Sequence, residues 1–364
     1  MIKRTLTLSC SLSLLLAIGC GEEEVLAPTP THGPFFPAHA PAAVTLSPSA
    51  ARLDARPPLL RFPGAARYTT TIATGDAADV HYPTDHTGAL PRSGGKRYAA
   101  VVVLQGAQTE KSNYAKYAAW IARYGFVVIV PNRLRTLPPI PAPTYLTEQR
   151  VVTDGFARLV QDGADPASPL YGAVDASRLG LTGHSFGGVM ALLAIEGGCA
   201  APFCTAGTYE RPQALKGAAL YGTNYTAGSP RMVVPVDTSA VPVALIQGTQ
   251  DGRALPEYGI GTYGILAAPK AYVEVVGANH FGITDTDSPA GTVPDPNPST
   301  IAGADAVERI ASWSAAFLRA TVYDDSQARA QLFDSDGTQD GTVRVIAVPA
   351  PAGRGQHAAL VRHK

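Results

Sequence analysis

The run "LTGHSFGGVM" sets Ser185 between Gly183 and Gly187, the pattern G-x-S-x-G. A serine hydroxyl is a weak nucleophile unless a base takes its proton and a third group orients that base. Partners of the right types lie downstream, Asp251 in "TQDG" and His280 in "NHFG". These three groups can run acyl transfer. His280 would take the hydroxyl proton, Ser185 would attack a carbonyl carbon, and Asp251 would orient the imidazole and stabilise its charged form. A bare G-x-S-x-G also fits a plain glycine turn, and Asp251 in "QDG" also fits an ordinary turn aspartate, so the surrounding elements decide.

Those elements alternate. "YAAVVVLQG", "FVVIVP", "SRLGLTG", "LKGAALYG", "VPVALIQG" and "PKAYVEVVGA" read as strands, and the most apolar of them suit a sheet buried on both faces. "RYTTTIATG" and "ADVHYP" alternate as two earlier strands. "NYAKYAAWIARYG", "TEQRVVTDGFARLVQ", "SFGGVMALLAIEGG" and "DAVERIASWSAAFLRATVY" read as helices, with Gly125 and Gly197 as stops. Strands and helices joined by short Gly-rich links imply an α/β fold, a mostly parallel doubly wound sheet flanked by helices. Ligands of such sheets bind beyond the carboxyl ends of the strands. Ser185, Asp251 and His280 each fall just past such an end, in the order nucleophile, acid, base. Asp285 and Asp287 rival Asp251 as the acid but follow the histidine. His184 should point away from the nucleophile into supporting packing.

The tetrahedral intermediate needs two N–H donors. One is the N–H of the residue after the nucleophile, Phe186; the other comes from the loop "QGAQTE", with Ala107 first and Gln108 next.

From about Arg67 to Tyr323, "GHSFGG", "QGTQD" and "GANHFG" in this order resemble an α/β-hydrolase serine esterase. Within that fold they resemble the group of cutinase-like polyester hydrolases, chlorophyllases, dienelactone-hydrolase relatives and platelet-activating-factor acetylhydrolases. The resemblance implies ester hydrolysis through an acyl-enzyme. Polyester hydrolases of that group usually carry methionine after the serine and a tryptophan near the groove. Here Phe186 follows the serine, and Thr223, Asn224 and Tyr225 follow "ALYG". Only "TNYTAGSPRMVVPVDTSA" separates "ALYG" from the next strand, so no large cap domain is expected and the site should be open to bulky or polymeric esters. The Pro-rich stretch from Asn132 to Glu148 reads either as a groove wall or as a passive surface loop. "DTDSPAGTVPDPNPST" reads as a polar surface loop.

The chain has 364 residues, 46% hydrophobic and 16% charged, with a formal net charge of +0. It is long enough for a large core and has no basic field to draw in nucleic acid. Lys3 and Arg4 precede an apolar run that ends "LAIGC" at Cys20. This resembles a bacterial lipoprotein signal over 1–19 with Cys20 lipidated, and Gly21 after it points to the outer membrane; an ordinary secretory signal cut nearby is the alternative. Such an acyl anchor would be the chain's membrane contact. A Pro/Ala-rich linker is expected over 20–63, the catalytic domain over 64–323 and a C-terminal extension over 324–364. Export implies an oxidising compartment, so Cys199 and Cys204 are expected to pair rather than bind zinc. "DSDGTQDG" at Asp334–Gly341 lacks the ligand spacing of a calcium loop and reads as a turn. No metal or cofactor is expected, and the chain reads as a monomer acting on a small-molecule or polymeric ester. A peptidase or amidase, a hydrolase of phospholipid acetyl esters, and a catalytically retired surface binding module remain as alternatives.

Overall fold

Apolar residues run without a break through Tyr98–Leu104, and every one of them is buried. Such a strand must be covered on both faces, and successive side chains point to opposite sides. Ala100, Val102 and Leu104 join one core cluster, whereas Ala99, Val101 and Val103 join the other. This strand forms the spine of a computed structural model in which residues 60–92, 95, 97–137, 140–199, 204–333 and 341–351 are described. The expected signal peptide, Cys20, most of the linker and residues 334–340 of the expected turn lie outside the described residues.

The order of elements is β1 (Gly64–Thr71), β2 (Ala77–Thr84), β3 (Tyr98–Leu104), α1 (Ala115–Arg123), β4 (Phe126–Pro131), β5 (Leu134–Leu137), β6 (Ile140–Tyr145), α2 (Arg150–Ala164), β7 (Val174–His184), α3 (Phe186–Glu196) and β8 (Leu215–Tyr221). Then follow β9 (Thr226–Ala227), β10 (Met232–Val233), β11 (Val243–Gly248), α4 (Pro256–Ile265), β12 (Lys270–Val275), α5 (Gly303–Val322), α6 (Ser326–Phe333) and β13 (Val343–Val348). The central sheet has nine strands in the order β1-β2-β4-β3-β7-β8-β11-β12-β13. From β4 to β12 all neighbours are parallel. The outer pairs β1–β2, β2–β4 and β12–β13 are antiparallel. Helices α2 and α3 cover one face, with Val152, Leu159 and Met190 buried there. Helices α1 and α5 cover the other through Tyr117, Ile121, Ile310 and Phe317. The doubly wound α/β sheet expected from the strand–helix alternation is therefore present.

The strand order reverses between β3 and β7. From β3 the chain winds outward to β4 and then returns to the other side of β3 as β7. A crevice opens at the carboxyl ends of two strands that leave in opposite directions, and here those ends are Leu104 and His184.

Three expectations change. The Asn132–Glu148 stretch contains a hairpin, β5 paired antiparallel with β6. "PEYGIGTYGI" forms α4, which has no counterpart in the sequence reading. The segment expected as a C-terminal extension contributes β13, which pairs with β12 along its whole length and adds a ninth strand to the sheet. The link between β8 and β11 holds only the two-residue strands β9 and β10, so no cap domain intervenes there.

Candidate active site

Ser185 sits at the corner between β7 and α3 with φ 53° and ψ −121°. A non-glycine residue in such a conformation costs on the order of 1–3 kcal/mol and persists only where its surroundings impose it. They do so here. The Ser185 N–H donates to the Tyr221 carbonyl at 2.9 Å, while its own carbonyl accepts from the Gly188 N–H at 2.9 Å. The flanking glycines are needed for close approach. A Cβ on Gly187 would lie 2.2 Å from the Leu104 carbonyl oxygen, and one on Gly188 would lie 1.9 Å from Thr223 Oγ1. The corner therefore packs straight onto the end of β3.

The loops after β11 and β12 bring the other two residues to it. His280 Nε2 is 2.9 Å from Ser185 Oγ. His280 Nδ1 is 3.0 and 2.9 Å from the two Asp251 carboxylate oxygens. Asp251 is 1% exposed and His280 4%. Burial pushes the Asp251 carboxyl up, but His280 beside it and the N–H bonds from Ala254 and Arg253 more than offset that, and it stays below the ordinary carboxylate range. One Asp251 oxygen accepts the Arg253 and Ala254 N–H groups at 2.9 and 2.7 Å; the other accepts Gln247 Nε2 at 3.0 Å. An anion ringed by donors stays ionised and fixes the Nδ1–H tautomer of its histidine, which leaves Nε2 bare toward the serine. The rivals are engaged elsewhere, Asp285 with the Lys116 N–H and Asp287 with Asn279.

Phe186 and Ala107 face the same cleft, about 230 Å³ in volume. Gln108, the second choice for the loop donor, gives its N–H to the Tyr145 carbonyl at 2.7 Å. It does so at φ 63°, so the β5–β6 hairpin holds the loop in a strained turn and leaves Ala107 as its candidate donor. Thr144 and Leu146, at the end of the hairpin, also line the cleft, so this stretch is a groove wall.

The sequence reading missed Asp295. It lies in the stretch read as a surface loop, which instead folds back over the site and supplies Thr292 and Val293 to the cleft. One Asp295 oxygen accepts the His280 N–H at 2.7 Å, and the other accepts the Gly252 N–H at 3.1 Å. It thus ties the acid loop to the histidine loop; burial pushes its carboxyl above the ordinary range. No local motif marks it. Cys199 and Cys204 are joined in a disulfide, so they do not form a zinc site. Just beyond it, the Thr205 N–H donates to the buried Glu148 at 3.0 Å, which ties the disulfide loop to the chain entering α2.

A doubly wound sheet with a serine on a strained strand-to-helix corner, and an acid and a histidine at the next strand ends, defines the α/β-hydrolase class. Within it, a family model described as PET hydrolase-like matches residues 44–293, and the chain belongs to that family of ester hydrolases. No match is found among curated proteins. The family and the disulfide both point to an exported protein. No described helix is long and apolar enough to cross a membrane.

Proposed function

We propose that the chain is a serine esterase that cleaves carboxylic esters through Ser185, His280 and Asp251. The observation that carries this reading is the unbroken line of contacts from Asp251 through His280 to Ser185 Oγ at the carboxyl edge of the sheet. His280 Nε2 takes the hydroxyl proton as Oγ bonds to the ester carbonyl carbon. The Ala107 and Phe186 N–H groups hold the resulting oxyanion. The intermediate collapses, the carbon–oxygen bond to the alcohol breaks, and His280 returns the proton to the leaving alcohol. Water then adds to the acyl-enzyme with the same proton movements and releases the acid. Asp251 stays ionised throughout.

The cleft walls include Leu146, Phe186, Phe281 and Val293, which suit an apolar flank on the substrate, and the family's description makes polyester films a natural member of the substrate panel. The test is Ser185→Ala with p-nitrophenyl acetate and butyrate. Hydrolysis should vanish while the fold survives; wild-type turnover by that variant sinks the reading. A fluorophosphonate probe that fails to label the wild type favours a retired binding module, and peptides cleaved faster than esters favour a peptidase. Delivery to the outer membrane on a lipidated Cys20 belongs to the same proposal. Radiolabelled palmitate should enter the wild type and not Cys20→Ser; an unlabelled wild type returns the ordinary secretory signal.

A further inference from the structure

His184, one residue before the candidate nucleophile, is 1% exposed, and Tyr114 is fully buried. Their polar atoms form a chain with one consistent direction. His184 Nε2 lies 2.9 Å from the His280 carbonyl oxygen. A carbonyl only accepts, so Nε2 carries the hydrogen and Nδ1 is bare. Nδ1 lies 2.9 Å from the Tyr114 hydroxyl, which therefore donates to it. The same hydroxyl accepts the Gly106 N–H at 2.8 Å. Gly106 adjoins Ala107, the candidate oxyanion donor. Two buried side chains thus connect the oxyanion loop, the nucleophile corner and the histidine loop.

The local sequence fits this arrangement. A Cβ on Gly106 would stand 2.7 Å from His184 Nδ1 and 3.3 Å from the Tyr114 hydroxyl, so only glycine lets the loop come this close. The His184 ring also packs, tilted by 45°, with its centre 4.9 Å from that of the His280 ring. Burial, with His280 next to it, lowers the His184 pKa to about 3, so the ring stays neutral and its one hydrogen stays committed.

We propose that Tyr114 and His184 are positioning residues that set the oxyanion loop and His280 in register across Ser185. The proposal rests on the triad reading above. Neither side chain takes part in bond making. Each fixes a neighbour: Tyr114 holds the Gly106–Ala107 peptide where the oxyanion forms, and His184 holds the main chain of His280. Misplacing a reacting group by about 1 Å costs up to roughly a hundredfold in rate.

The test uses the full-length enzyme and its ester substrate. Tyr114→Phe keeps the buried ring and deletes only the shared hydroxyl. kcat per fluorophosphonate-titrated site should fall about ten- to a hundredfold with KM nearly unchanged. Affinity for a trifluoromethyl ketone, which forms a tetrahedral adduct with the serine, should fall by the same factor as kcat/KM. His184→Gln keeps a donor for the His280 carbonyl but removes the Nδ1 that orients the Tyr114 hydroxyl toward the Gly106 N–H, so Tyr114→Phe should cost less in that background than it does alone. Loss of urea midpoint or of titratable sites, with kcat per site and ketone affinity unchanged, assigns the pair a merely structural role and overturns the proposal. Full additivity in the double variant does the same. Should the variants fail to fold, ¹⁵N shifts of the wild-type ring decide: hydrogen on Nε2 and none on Nδ1 from pH 5 to 8 is expected, and hydrogen on Nδ1 overturns the relay. A wild type that fails to label with fluorophosphonate strikes the triad reading instead.

Discussion

Asp251→Asn changes one atom in a pocket with no room for the new donor pair. Both carboxylate oxygens of Asp251 only accept. One takes the Arg253 and Ala254 N–H groups, the other takes Gln247 Nε2, and both face His280 Nδ1. If the new amide NH2 faced the two backbone N–H groups, two hydrogen bonds would be lost. The other orientation loses one, but it points NH2 at Gln247 Nε2 and at His280. Gln247 cannot flip its amide to adapt without giving up its bond to the Ala254 carbonyl at 3.0 Å. The second orientation is therefore favoured, and it forces His280 Nδ1 to accept. The hydrogen then moves to Nε2, facing Ser185, and His280 can no longer act as the base. A wrong-tautomer histidine in a triad costs about 10⁴-fold in kcat, equivalent to about 5 kcal/mol of barrier. The mismatched donor should also lower stability by about 1–3 kcal/mol. Initial rates on p-nitrophenyl butyrate and urea unfolding measure both. A folded Asp251→Asn enzyme within tenfold of wild-type kcat would falsify the tautomer reasoning.

Acidification should destabilise the fold well above the carboxylate range. Burial lowers His184 to about 3, and lowers His81 to about 4 in spite of the Asp79 carboxylate beside it, whereas each titrates at 6.5 when unperturbed. Below that ordinary value the unfolded chain binds protons that the folded chain refuses, so stability falls as pH falls. At about 1.4 kcal/mol per unit per group, each histidine removes roughly 2 kcal/mol between pH 6.5 and 5. A urea midpoint that stays level over that interval contradicts this. Replacing Cys199 and Cys204 by serine opens a loop with a sequence separation of 5. The chain-entropy model gives about 2 kcal/mol of lost stability, with kcat unchanged; a comparable loss of kcat would show that the disulfide loop shapes the site.

The parts of the fold that were legible in the sequence are those where burial on both faces forces an unbroken apolar run. The strands β3 and β4 are such cases, and β7 adds the glycine corner. The candidate triad was legible because its residues follow three such strands directly. Helix α4 was not. Gly259, Gly261 and Gly264 oppose helix formation, yet a Cβ on Gly259 would stand 2.9 Å from Gln247 Oε1, so packing selects the small residue. Pro141 and Pro143 argued against a strand in the β5–β6 hairpin. A two-stranded hairpin leaves outward N–H positions unpaired, and there proline does no harm. The short alternation that makes β13 was masked by the Pro- and Ala-rich residues after it. Asp295 carries no local signal at all, since its role depends on a loop returning across the sheet edge.

The antiparallel strand Val343–Val348 has a consequence for how the molecule comes into being. Ser185, Asp251 and His280 are all synthesised before it. A growing chain therefore holds every reactive group while β12, the strand that leads to His280, still presents an open edge. An open edge is a template for pairing with another chain. Shortening the chain ahead of residue 343 would leave the chemistry intact on paper and move the open edge of the sheet to β12, the strand that leads to its histidine, with aggregation as the outcome. The ninth strand carries the edge of the sheet one strand away from β12, so the strand that leads to His280 is paired on both sides.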